Sequence, residues 1–90
     1  MGDMWNALAD PTRRKILELL SSGDMTAGEI ADNFSMAKPS VSHHLNILKN
    51  ADLIYGEKNG QNIIYSISTT VFQDMMLTLS KLFNKNEEAN

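Results

Sequence analysis

Apolar positions recur with a helical period from Met4 to Ala51, switch to a period of two between Leu53 and Ile67, and return to a helical period up to Phe83. Asp3 is placed to cap a short first helix carrying Met4, Trp5, Ala7 and Leu8, an apolar set too large for so short a piece to bury alone. Asp10-Pro11 is a start signal, an N-cap acceptor followed by a residue whose missing N–H costs nothing in the first turn. The second helix then runs to about Ser22 on Ile16, Leu17 and Leu20, with Gly23-Asp24 as its stop. Thr26-Ala27-Gly28-Glu29 is a capping box that opens a third helix, Ala27 to Asn33, with Ile30, Ala31 and Phe34 inward. After Ser35-Met36-Ala37, a fourth helix from about Lys38 to Ala51 puts Val41, Leu45 and Leu48 on one stripe and Ser42, His43, Asn46 and Asn50 on the other side.

Asn59-Gly60 between two β-favouring runs predicts a hairpin from Ile54 to Ile67. A last helix is expected from Ser68 or Thr69 to about Asn84. Val71, Phe72, Met75, Met76, Leu79, Leu82 and Phe83 give it more apolar surface than a small monomer needs. Residues 85–90 read as a frayed polar tail. Two helices joined by a short turn, the second polar on its outer face, followed directly by a hairpin, define the expected fold class. It is a mainly α winged helix-turn-helix of about five helices, with a two-stranded wing between the fourth and fifth.

Composition narrows the function. Ninety residues are enough for one domain with little room for a separate catalytic lobe, and a core of that size often gains stability from a partner chain. The chain has no cysteine, which excludes a disulfide framework, a thiolate nucleophile and a thiolate metal site, and suits the cytoplasm. No apolar run approaches the roughly 18 residues that span a bilayer, and Met1 to Asp10 lacks a signal-peptide pattern, so no membrane insertion is expected. The net charge of -3 argues against a generally basic nucleic-acid binder. Its distribution reverses the inference. Lys38, Lys49 and Lys58 face only Asp52 and Glu57 between Phe34 and Asn62, whereas Glu87 and Glu88 sit in the tail.

A helix that reads duplex DNA needs short side chains near its N-terminal end and longer donors behind them. Ser40, Ser42 and His43 occupy the first turns, where the helix dipole also favours phosphate. Asn46 can bond a base edge or a phosphate, and Lys38 and Lys49 supply charge. Lys58, Asn59 and Gln61 at the hairpin tip suit phosphates or a minor groove. The helix face alone reads equally well as ordinary solvated surface, and hairpin tips are usually just polar. The order helix-turn-helix then wing is far more specific than either part. Arg13, Arg14 and Lys15 form a basic cluster that either reaches the phosphate backbone or pairs within the chain, for instance with Asp10 or Glu18. His43 and His44 point about 100° apart on a helix and cannot clasp one metal. His44 turns toward the flank of the core as a packing or hydrogen-bonding residue. No nucleophile elbow, phosphate loop or carboxylate pair supports an enzyme, and no cofactor is expected.

The segments Asp10-Pro11-Thr12-Arg13-Arg14-Lys15-Ile16-Leu17, Ser40-Val41-Ser42-His43-His44-Leu45-Asn46-Ile47-Leu48, Ala51-Asp52-Leu53-Ile54 and Gly60-Gln61-Asn62-Ile63-Ile64-Tyr65-Ser66-Ile67 resemble the ArsR/SmtB family of winged-helix repressors, most nearly its metal-independent SdpR-like autorepressors. The resemblance covers about Trp5 to Phe83. It implies a homodimer on a pseudo-palindromic operator in double-stranded DNA, with Lys38, Pro39, Ser42 and His43 at the positions that approach bases. It also implies dimerisation through the first and last helices, which assigns Met4, Trp5, Leu8, Phe72, Met75, Met76, Leu79, Leu82 and Phe83 to the interface. The cysteine motif and the Asp and His ligand set of the family's metal sensors are both missing, so metal-released repression is not expected and no motif names an inducer. The alternative class is a winged-helix protein-interaction module without specific DNA binding, a use of the same fold that the negative charge would suit.

Overall fold

A computed structural model describes residues 3–88, with side chains described as far as Asn84. The elements follow in the order α1 (Met4–Ala9), α2 (Pro11–Ser21), β1 (Met25–Thr26), α3 (Ala27–Ala31), α4 (Lys38–Asn50), β2 (Ile54–Asn59), β3 (Asn62–Ile67) and α5 (Thr69–Glu88). This is the expected winged helix-turn-helix, with one strand more than expected.

The caps work as the sequence predicts. Asp3 accepts from the backbone N–H groups of Trp5 and Asn6, and Asp10 from that of Arg13. At α3 the box closes in both directions. The Glu29 N–H donates to Thr26 Oγ1 at 3.2 Å, and the Thr26 N–H donates to Glu29 Oε1 at 2.9 Å. The Thr26 N–H and then its side chain hold the Glu29 carboxyl below its ordinary pKa. Ala37 is the N-cap of α4 without a side-chain bond, and the helix starts at Lys38 with Pro39 in its first turn. The third helix ends at Ala31, short of Asn33. The last continues to Glu88, past Asn84, so 85–88 of the frayed tail expected over 85–90 are helical in the backbone, and 89–90 lie outside the described residues.

The C-terminus of α4 is closed by a six-residue loop-back. The Leu53 N–H donates to the Leu48 carbonyl at 3.1 Å and the Asp52 N–H to that of Lys49 at 3.0 Å. Asp52 takes the left-handed conformation, φ 61°, at the position where glycine is commonest. That turn drives Leu53 and Ile54 into the core and launches β2. The core joins Ile16, Leu17 and Leu20 of α2, Ile30 of α3, and Val41, Leu45 and Leu48 of α4 to Leu53, Ile54, Tyr65 and Met75.

The wing hairpin, β2 and β3, belongs to a three-stranded antiparallel sheet in the order β1-β3-β2, with β3 in the middle. The two residues of β1 were not foreseen. They pair Met25 with Tyr65 and Thr26 with Ile64, which ties the start of α3 to the wing. Asn59 pairs with Asn62, so Gly60 and Gln61 form the turn, one residue later than Asn59-Gly60, with Gly60 at φ 64°. Gly56 lies opposite Tyr65 in the neighbouring strand. A Cβ at Gly56 would stand 2.9 Å from Ile63 Cγ2 and 3.2 Å from Tyr65 Cε1, since both side chains lean across the space it leaves. Overpacking of this kind costs about 1–3 kcal/mol. Gly56→Ala is therefore expected to lower Tm in a thermal melt by about 4 °C or more, with hydrogen-exchange protection lost first in the wing; an unchanged melt would show that Ile63 swings clear.

Candidate nucleic-acid interface

The three apolar residues of α4 face the core, which leaves its opposite side bare. Lys38, Pro39, Ser40, Ser42, His43, Asn46 and Lys49 are all exposed, as are Lys58, Asn59 and Gln61 on the wing. Among the described residues none of these side chains makes an intramolecular hydrogen bond or ion pair. The helix itself carries no carboxylate. The result is a convex, uncommitted polar ridge with a hairpin beside it, whose Lys58 stands in register with Ile63. On the flank of the ridge, Lys38 and Ser42 line a small pocket of about 160 Å³ against Ala27, Gly28 and Ala31 of α3.

The basic cluster at the start of α2 is used inside the chain. Arg13 is the buried charged residue of the described structure, 9 % exposed. Its Nε donates to the Ala7 carbonyl at 2.8 Å, Nη2 to the Asn6 carbonyl at 3.1 Å, and Nη1 lies 3.2 Å from His44 Nδ1. Arg14 Nη1 donates to the Leu8 and Ala9 carbonyls at 3.0 and 2.9 Å. Both arginines thus satisfy the orphan carbonyls at the end of α1, where the sequence suggested a carboxylate partner or a phosphate. Lys15 sits 3.9 Å from Glu18 in an exposed pair that contributes little. Because a guanidinium only donates, the Arg13 contact makes Nδ1 of His44 an acceptor and puts that ring's proton on Nε2. His44 packs at the flank of the core, as expected, while His43 projects outward.

The Asp10 carboxylate completes this corner, with Oδ2 3.1 Å from the Arg13 backbone N and 3.8 Å from His44 Nδ1. Burial pushes its pKa up, but the Arg13 backbone N–H, the neighbouring His44 ring and the Arg13 guanidinium outweigh that, and the net shift is downward from 3.8.

A second exposed surface is apolar and lies on α1 and α5. Trp5 is 56 % exposed, Met76 63 %, Leu82 56 % and Phe83 67 %. Met4, Leu8, Phe72 and Leu79 are half-buried against the core. Met75 differs from the other side chains expected at an interface: it is 8 % exposed and belongs to the protomer's own core, because it lies in the middle of the α5 stripe that seals the helix onto the fold. Open apolar grooves flank α5 on both sides. One of about 500 Å³ includes Met4, Trp5 and Val71; the other, of about 660 Å³, includes Ile67, Phe72, Met76 and Leu77. Leu77, 60 % exposed on the polar side of α5, escaped the sequence reading because it lies off the helical stripe.

A family model described as "Bacterial regulatory protein, arsR family" matches residues 10–55, the stretch from the Asp10 cap through α4 to the start of β2. The chain belongs to the ArsR family. It is 53 % identical to the transcriptional repressor SdpR of Bacillus subtilis, over 97 % of both chains. It is 35 % identical to the HTH-type transcriptional regulator Rv2034 of Mycobacterium tuberculosis, over 90 % of this chain and 76 % of that one. A crystal structure of an ArsR family transcriptional regulator superposes with a TM-score of 0.85 at 35 % identity, over 92 % of this chain and 91 % of that one. The HlyU structure from Vibrio cholerae gives 0.73 at 26 % identity, over 89 % and 87 %. ArsR membership establishes a transcriptional regulator built on a DNA-binding helix-turn-helix. Among the described residues no three His, Cys, Asp or Glu side chains gather to hold a metal ion, and no helix is long and apolar enough to cross a membrane.

Asp10 gives a test of this corner. A depressed carboxylate pKa contributes stability that is present above 3.8 and lost as pH falls through the lower folded value. Asp10→Ala should cost about 1 kcal/mol at neutral pH, and its deficit relative to the native chain should shrink in melts below pH 3.8; a deficit that stays constant across that range would remove the ionic part of the role.

Proposed function

We propose that this chain is a homodimeric transcriptional repressor that occupies a pseudo-palindromic operator at the promoter of its own gene. In this reading α4 enters the major groove, with Lys38, Pro39, Ser42 and His43 approaching the bases, Asn46 at a base edge or a phosphate, and Ser40 and Lys49 along the phosphates. The wing residues Lys58, Asn59 and Gln61 lie on the flanking backbone or minor groove. The observation that carries it is the uncommitted face of α4: exposed hydroxyls, imidazole, amide and ammonium groups with no internal partner, on a helix without a carboxylate. Groups left free to bond outward on a rigid helix suit direct readout.

Dimerisation rests on α1 and α5. Burying a large apolar side chain is worth about 1.5–3 kcal/mol, and Trp5, Met76, Leu82 and Phe83 are all available for that in the single chain. A two-fold dimer through them would set two reading helices about one turn of duplex apart, roughly 34 Å. The 53 % identity to SdpR, named a repressor, supports repression as the outcome of occupancy.

Fluorescence anisotropy with a duplex from upstream of the gene, against a scrambled duplex, across roughly 50–200 mM salt tests the reading. Tight, sequence-dependent, salt-sensitive binding is expected. Absence of salt-sensitive affinity for any duplex would favour a protein-interaction module. His43→Ala should weaken operator binding about tenfold without changing Tm, and Lys49→Ala should flatten the slope of log affinity against log salt by about one contact. Sedimentation of Phe83→Glu should give a monomer where the native chain gives a dimer.

A further inference from the structure

Arg13 and His44 do more than complete the core. The guanidinium holds two carbonyls at the C-terminal end of α1 with Nε and Nη2, and with Nη1 it meets a side chain on α4. One buried cation on α2 thereby joins three helices. His44 is the residue after His43, and neighbours on a helix differ by about 100° in direction. Holding His44 against Arg13 therefore sets the rotation of α4 about its own axis, which decides where His43 and Asn46 point. The same cation holds α1, which carries the exposed Trp5.

We infer that the Arg13–His44 contact is an indexing pin: it fixes the roll of the reading helix relative to α1, and through α1 relative to the two-fold axis of the dimer. The inference rests on the homodimeric reading above. Arg13 and His44 are positioning residues that touch no base in it. The groups facing the His44 ring are Arg13 from α2, Asp10 from the cap between α1 and α2, and the His43 ring, 6.0 Å away and inclined by 55°. Apolar packing of Val41, Leu45 and Leu48 holds α4 down but is forgiving of small rotations, because dispersion contacts lack direction. A hydrogen bond between a planar fork and a ring nitrogen has direction.

The chain has no cysteine, so Asn50→Cys at the exposed end of α4 provides one spin-label site per protomer. Pulsed electron resonance of the full-length chain then reads the distance between the two reading helices directly, without DNA. A narrow distance distribution is expected in the Asn50→Cys background. His44→Ala is expected to make it about twofold broader, as a locked orientation becomes an ensemble. His44→Asn, whose carbonyl oxygen occupies nearly the place of Nδ1, is expected to restore the narrow distribution. Melts of the three proteins confirm that each is folded. A His44→Ala distribution as narrow as the parent's, whatever its Tm, overturns the pin and leaves the contact as packing. So does a broadened distribution that His44→Asn fails to narrow. A folded parent with no intermolecular distance overturns the dimer, and the pin with it, whereas a failed operator titration with an intact distance would overturn only the DNA reading.

Discussion

A guanidinium taken out of water is tolerated only when its donors are matched, and the Arg13 group is matched by the end of one helix and the side of another. Much of the architecture depends on that requirement. The six residues of α1 are far too few to hold a helix by themselves. Asp3 closes its beginning, while Arg13 and Arg14 take up the carbonyls at its end, so α1 exists as a helix because α2 finishes it. Asp10 serves both, ending α1 and capping α2, and its carboxylate balances the cation that it sits beside. Among the described side chains no buried polar atom lacks a partner.

Local signals carried most of the fold. The Asp10-Pro11 start, the Thr26 to Glu29 box and the stripe of Val41, Leu45 and Leu48 each act within one or two helical turns, so a single sequence displays them. What it did not display was long-range. Met25-Thr26 is too short to show a strand period, and becomes β1 only because β3 arrives from forty residues further on. Charge is visible in a sequence, so Arg13 reads there as a partner for a carboxylate or a phosphate. The carbonyls of Asn6 and Ala7 carry no letter of their own. Met75 belonged to an apolar stripe whose centre seals the core and whose margins do not, a division that only the position of α5 decides.

The candidate reading face was legible for a different reason. Its residues had to be polar, exposed and short at one end of a helix, and α4 satisfies that wherever its apolar stripe is satisfied. The acidic balance of the chain was a distraction, since a net charge of -3 averages over surfaces that never meet the same partner.

The far end of α5 has a consequence for quantity. Leu82 and Phe83 project beyond the part of the helix that the core covers. On the dimer reading they become dry only in company, so the paired state is a second-order function of how much chain is present. A regulator made in small amounts would stay mostly single and leave its target open, and occupancy would rise steeply only after pairing sets in. For a gene that silences itself, the bare end of one helix would then act as the gauge of its own supply, with no small molecule needed to set the level.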